Sequence, residues 1–185
     1  MMNNKQDRLP PTPKIYFITL SVFRYIDVFT RRNYVELILE SLKLYQEEQG
    51  LLIYDWIIMT NHLHLIASIG DEDVKGFVRD FKKFTTIQML DAIKHDPFEV
   101  RKEWLLEMLR RNDKVEIFWR GDHHAQAIYY MSYYLVKQNA MYKDPFRAGI
   151  VSDARYYQYS SYTARFDNQP GPLELSDVLF VEAIA

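Results

Sequence analysis

Cysteine is absent from the 185-residue chain. That removes disulfides, zinc–thiolate centres and thiol nucleophiles, and it fits a reducing cytoplasm. Long apolar runs are also absent: none reaches the roughly 18 residues that a bilayer-spanning helix needs. The opening stretch, Met1 to Pro13, is polar and proline-bearing, without the apolar centre of a secretory signal. The expectation is a soluble, cytoplasmic protein with no membrane partner. Net charge is low, −2 from 23 basic and 25 acidic residues. A nucleic-acid surface would therefore have to be a local basic face, since the chain as a whole is no polycation. Glycine is scarce at 6 residues, which argues against a cupin-type barrel with its many glycine-rich turns.

What the chain has in quantity is material for a core. It is 48% hydrophobic and 15% aromatic, with 14 tyrosines and 11 phenylalanines. The length suits one compact domain, and the reading is a flexible N-terminal tail over 1–13, one domain over 14–165 and a C-terminal tail over 166–185. Lys14 to Val22 is β-branched and aromatic, the signal of a strand. A helix is expected from about Arg32 to Gln49, capped by Thr30 and stopped by Gly50. Leu51 to Ser68 reads as extended, with Thr60-Asn61 as a turn or bulge within it. A second amphipathic helix is expected from Val74 to about Lys94, and His95-Asp96-Pro97 breaks it. Then come a helix over Val100 to Arg111, a short strand over Val115 to Arg120, and an aromatic helix from Ala127 to about Met141. Strand, helix, strand pair, helix, strand, helix implies an α+β, ferredoxin-like antiparallel sheet with helices packed mainly on one face.

Chemistry is concentrated in Trp56 to Ile66. Residues two apart on a strand share a face, so His62 and His64 project together while Leu63 and Leu65 point into the core. Two imidazoles on a rigid strand make half of a site for a divalent cation; the plainer alternative is two satisfied edge histidines. On the later helix Tyr134 and Gln138 are four apart and lie on one face. A tyrosine hydroxyl is a poor nucleophile near neutral pH unless a metal polarises its phosphoryl target. His62, His64 and the Gln138 carbonyl oxygen would supply three neutral ligands, suited to Mg2+ or Mn2+. Lys75, Arg79, Lys82 and Lys83 form a basic face on the second long helix, either a solvated face or one that contacts phosphate. His95, His123 and His124 read as turn histidines.

Thr60-Asn61-His62-Leu63-His64-Leu65-Ile66 resembles the His-hydrophobe-His motif of the HUH single-tyrosine transposases, and most of all the REP-associated and related insertion-sequence branch. Asp27-Val28-Phe29-Thr30, Asp80 to Thr85, Phe118-Trp119, Arg147 to Val151 and Tyr159 to Tyr162 resemble that branch in the same order. The resemblance implies a metal-dependent DNA strand transferase acting on single-stranded, hairpin-forming DNA. Its tyrosine would form a 5′-phosphotyrosine link and free a 3′-OH, with two histidines and a helix amide on the metal. On that basis Tyr134 is the expected nucleophile, with His62, His64 and Gln138 on the metal. Arg79, Lys82, Lys83, Lys137 and Arg147 are expected on DNA, and a homodimer is one assembly the resemblance allows. The chain departs from the family at one place. Many relatives carry the tyrosine shortly before an Asn-Pro step that leads into Arg-Ala-Gly. Here Asp144-Pro145-Phe146 precedes Arg147-Ala148-Gly149, and an ungapped match puts Ala140 at the tyrosine position. Keeping Tyr134 and Gln138 in role requires extra residues around Asn139 to Asp144, and Tyr142 is the next candidate. With Ala140 in the family position, the chain would be a domesticated DNA-binding protein that does not cut.

Overall fold

Alternation of large apolar residues makes Ile15–Ser21 a strand, β1, with two useful faces. Ile18 and Leu20 enter one core while Ile15 and Phe17 enter another. The structure, a computed structural model, describes residues 14–70, 73–111, 115–122 and 124–178. The expected N-terminal tail, His123 and the end of the expected C-terminal tail lie outside the described residues. A short 3-10 turn follows β1, then helix α1 at Arg32–Gln49. Thr30 makes no side-chain cap; Arg31 holds the cap position in extended conformation. Gly50 ends α1 in the left-handed region at φ 66°, its N–H donating to the Tyr45 carbonyl. A side chain there would be strained, so glycine is the residue the stop requires.

The long extended stretch is a hairpin of β2, Leu51–Ile58, and β3, His62–Ile69, with Met59 to Asn61 turning between them. Helix α2, Val74–His95, runs back over the sheet, followed by α3, Lys102–Met108. Two-residue strands β4, Arg110–Arg111, and β5, Val115–Glu116, form a separate small ladder. The strand expected over 115–120 is thus shorter, and Trp119 reaches the main sheet through a single bridge to Val22. The aromatic helix starts later than expected. His124–Ile128 is strand β6, and helix α4 covers Met131–Tyr142. A four-residue helix α5, Asp144–Arg147, follows directly, and α6 is Tyr162–Phe166.

The main sheet is antiparallel in the order β2-β3-β1-β6. Tyr34, Val35, Ile38 and Leu42 of α1, with Phe77, Val78, Phe81 and Met89 of α2, bury against the face carrying Leu63 and Leu65. Each such side chain taken out of water contributes roughly 1.5–3 kcal/mol, so this face carries most of the stability. The opposite face holds a smaller core of Phe17, Ile57 and Ile66 under Tyr134, Met141 and Tyr142 of α4. One irregularity sets that second face. The register between β2 and β3 shifts between Ile53 and Asp55. The bulge inserts an extra residue and reverses the alternation, so Asp55 turns to the α4 side. The chain after α5 closes the β2 edge: Ile58 N donates to the Tyr159 carbonyl at 2.9 Å and Ser176 N to that of Ile53 at 2.8 Å. Among the described residues no helix is long and apolar enough to cross a membrane.

Candidate metal centre

The pairing of β3 with β1 sets His62 opposite Ser21 and His64 opposite Thr19. Both rings stand on the α4 face at one end of the sheet, partly buried, with centroids 4.7 Å apart. Each ring is fixed through Nδ1. Asn61 Oδ1 lies 2.8 Å from His62 Nδ1, and Thr19 Oγ1 lies 2.8 Å from His64 Nδ1. Asn61 also donates through Nδ2 to Asp27 Oδ1 and to the Tyr25 carbonyl, so its Oδ1 is the acceptor and His62 carries its proton on Nδ1. The Nε2 lone pair of His62 is then free. This arrangement, one nitrogen held and the other presented, is how protein ligands to metals are oriented. Burial, followed by the neighbouring His64, pushes the His62 pKa down to about 4, so its ring is neutral at physiological pH. A neutral imidazole is the metal-binding form.

Asp144, the first residue of α5, completes the group. Its Oδ2 is 3.2 Å from His64 Nε2. One ligand atom from each of His62, His64 and Asp144 falls within 4.8 Å of the others, a set able to hold a metal ion. Two imidazoles and one carboxylate suit manganese or another first-row divalent ion better than magnesium, which prefers oxygen. Pro145 sits at the start of α5, where its missing N–H costs nothing, and it brings Asp144 off the end of α4. Arg147 Nη1 is 3.7 Å from the other Asp144 oxygen.

Tyr134 and Gln138 lie on the same sheet face, in a different set of bonds. The Tyr134 hydroxyl donates to Asp55 Oδ2, and Gln138 Nε2 donates to the same oxygen at 3.1 Å. Tyr142 donates to Asp55 Oδ1 at 2.6 Å and lies 2.8 Å from Ser161 Oγ. Arg165 Nε stands 3.5 Å from Asp55 Oδ1. Asp55 is fully buried, and burial raises its pKa against the opposing tyrosine hydrogen bonds. Burial and the facing Asp55 carboxylate raise both tyrosines well above the ordinary phenol value. Asp55 and Arg165 were not singled out from the sequence, although an aspartate inside an otherwise apolar strand was an available signal for the first.

The expected DNA-contacting residues divide. Lys137 lies beside the histidines: its Nζ is 4.9 Å from the Phe17 ring centroid, and Phe17 stacks on His64 at 5.0 Å. Arg147 is exposed next to Asp144. Arg79 and Lys83 are exposed on α2, which packs on the sheet face opposite the histidines. Arg79 forms a two-pronged pair with Asp80. Lys82 is half-buried and donates to the Arg120 and Asp122 carbonyls at 2.7 and 3.1 Å, so it props the loop before β6. A hollow of about 420 Å³ lies beside α1, but its Arg32 pairs with Glu36 at 2.6 Å and none of the candidate site residues lines it.

No family model matches the chain. No curated protein matches it in sequence. Its fold is that of a solved REP-associated tyrosine transposase bound to a REP hairpin, with TM-score 0.63, 15% identity and 99% of both chains covered. A protein from Deinococcus radiodurans R1 that carries a provisional transposase assignment matches at TM-score 0.49 and 13% identity, over 76% of this chain and 96% of that one. At that TM-score the second likeness adds nothing to the fold. The first is the family that the histidine motif and its accompanying segments resemble.

Proposed function

We propose that this protein binds hairpin-forming, single-stranded DNA at the histidine end of its sheet, with a divalent ion held by His62, His64 and Asp144. The observation that carries the reading is Asp144 as the third donor. The family pattern sets the tyrosine four residues before the third ligand, and four residues before Asp144 stands Ala140. Gln138, whose carbonyl oxygen was the expected third ligand, donates through its amide nitrogen to Asp55. A metal-organised DNA-binding protein without tyrosine cleavage, a domesticated member of the transposase fold, accounts for both facts. The ion would supply Lewis-acid contact to phosphoryl oxygens. Of the chain's own residues, Lys137 and Arg147 flank the centre and would meet neighbouring phosphates. Thr19 and Asn61 hold the rings ready.

A second reading, a DNA strand transferase, draws on the Tyr134–Gln138 pair, whose amide nitrogen and hydroxyl are 3.4 Å apart on the histidine side of the sheet. In it the Tyr134 oxygen bonds to phosphorus as the bond to the 3′ oxygen breaks. The phenol proton passes to Asp55, and the 3′ oxygen leaves as a hydroxyl once protonated. Tyr134 is 3% exposed, so α4 would have to lift for DNA to reach it.

One experiment separates the two. A labelled DNA hairpin with single-stranded flanks is incubated with the protein and manganese, then run on a denaturing gel and, in parallel, measured by anisotropy. Binding that weakens with EDTA, with no covalent adduct, is the expected result. An adduct lost in Tyr134→Phe would establish strand transfer instead. Absence of binding in every metal would remove both.

A further inference from the structure

We propose that a second cavity at the histidine end of the sheet, bounded by Phe23, Arg24, Arg111, Arg120, Gly121 and Asp122, is a subsite that grips a backbone phosphate of the DNA strand leaving the metal centre. The proposal rests on the DNA-binding reading above. The cavity measures about 390 Å³. Three guanidinium groups and one carboxylate line it. Asp122 is occupied by Arg120 through two contacts of 2.8 Å. Arg24 and Arg111 have no ion-pair partner among the described residues; Arg24 meets the Met108 sulfur at 3.7 Å. Both lie over one ring, with guanidinium carbons 5.2 and 5.9 Å from the Phe23 centroid. Stacking on an aromatic face offsets part of their repulsion and leaves N–H groups facing outward. Two like charges gathered on one ring, without an ion-pair partner among the described residues, repel each other, and a phosphate would satisfy both.

The backbone here is also strained. Arg24 and Tyr25 are consecutive residues in the left-handed region, at φ 57° and 55°, where side chains other than glycine's are disfavoured. Such conformations persist where surrounding bonds over-determine them, and they gather at binding sites. The Tyr25 carbonyl is held by Asn61 Nδ2 at 3.2 Å, and Arg120 sits 4.4 Å over the Tyr25 ring. Asn61 is the residue that orients His62. Cavity and metal centre therefore share a structural member, and a strand held at one meets the other along the same edge of the molecule. On the cavity's other side Lys82 fixes the Arg120 and Asp122 carbonyls. Lys82, expected on DNA, thereby props the loop that forms one wall of the cavity.

The test is a salt series of hairpin-DNA anisotropy titrations in manganese, on the full chain. Each phosphate contact removed should lower the log Kd against log salt slope by about 0.7–0.9. Arg111→Ala and Arg24→Gly are each expected to show that decrease with weaker binding, and Arg24→Lys to recover part of it. Arg24→Gly also relieves the left-handed strain, so its thermal stability should hold or rise while affinity falls. Arg32→Ala, a distant exposed arginine on α1, should leave the slope alone. Unchanged slopes in Arg24→Gly and Arg111→Ala beside a wild type that binds would overturn the subsite and leave the DNA reading standing. An equal decrease in Arg32→Ala would overturn it too, as a general charge effect. A wild type that binds no hairpin DNA removes the functional reading itself.

Discussion

An imidazole presents one nitrogen to a ligand reliably when its other nitrogen is already engaged. His62 and His64 meet that condition through Asn61 and Thr19, and the geometry of β3 against β1 dictates it. The remaining question at this scale is which residue joins them. Asp144 and Gln138 make opposite predictions. Manganese binding to the folded state alone stabilises by RT ln(1 + [L]/Kd), about 2.7 kcal/mol at a hundredfold excess over Kd. For a chain of this size that is a rise in Tm of about 5–10 °C. Differential scanning fluorimetry should show that rise in the wild type and in Gln138→Ala, reversed by EDTA, and its loss in His64→Ala and Asp144→Ala. A rise that survives Asp144→Ala and vanishes in Gln138→Ala would return the third position to the amide. The histidine pair was legible because a two-residue period needs no tertiary information. Asp144 was not, because its aspartate-proline step reads locally as the end of a helix, and its meeting with β3 depends on how α4 packs.

Elements differ in how far their sequence announces them. α1 and α2 were legible nearly end to end, since 18 and 22 residues of steady apolar spacing leave no other period available. β6 was not. Its Ala-Gln-Ala-Ile core is half-exposed at a sheet edge and runs straight into aromatic residues that suit a helix equally well. The orientation of Asp55 was hidden by the bulge, which reverses the alternation a reader would apply. That buried carboxylate is what fastens α4 to β2, receiving bonds from Tyr134, Gln138 and Tyr142. Asp55→Ala would strand those donors and Arg165 in the core, and a loss of about 3–5 kcal/mol is expected in urea unfolding. Asp55→Asn keeps an acceptor and the volume, and should cost less than half as much. A second tie links α1 to the turn after α2. The Phe98 N–H, then Asn33, Arg31 and Tyr34, hold Asp96 below the usual carboxylate range, and Arg101 does the same for Glu99. A carboxylate whose pKa falls on folding stabilises the native state above its unfolded pKa and loses that contribution as pH drops through the folded value. Tm measured from pH 7 downward should therefore fall once the pH passes below about 4, and Asp96→Asn, lower at neutral pH, should fall less steeply there.

At the scale of the whole molecule, the sheet has two faces with different work. One carries the large core under α1 and α2, and the other carries the smaller core, the Asp55 network and the candidate metal centre. Such a sheet has open edges, and an unpaired edge strand invites aggregation. The β2 edge is closed by the chain beyond α5, including residues within the 166–185 stretch read as a C-terminal tail. Leu173 is 4% exposed in the large core, Ser176 N pairs with the Ile53 carbonyl, and Gln46 donates to the Glu174 carbonyl at 2.8 Å. Arg165 ties the same segment down, donating to the Ser176 carbonyl at 3.0 Å while it faces Asp55. The stretch around Leu173 to Ser176 is thus joined to both faces, through Leu173 on one and Arg165 on the other. Leu173→Ala should cost about 2–4 kcal/mol by leaving a cavity beneath β2. Removing residues 168–185 should cost at least as much and, by uncovering the strand, raise light scattering at concentrations where the full chain stays clear. Unfolding midpoints and scattering that match the full chain would mean that this stretch is a passive tail, and that β2 protects its own edge.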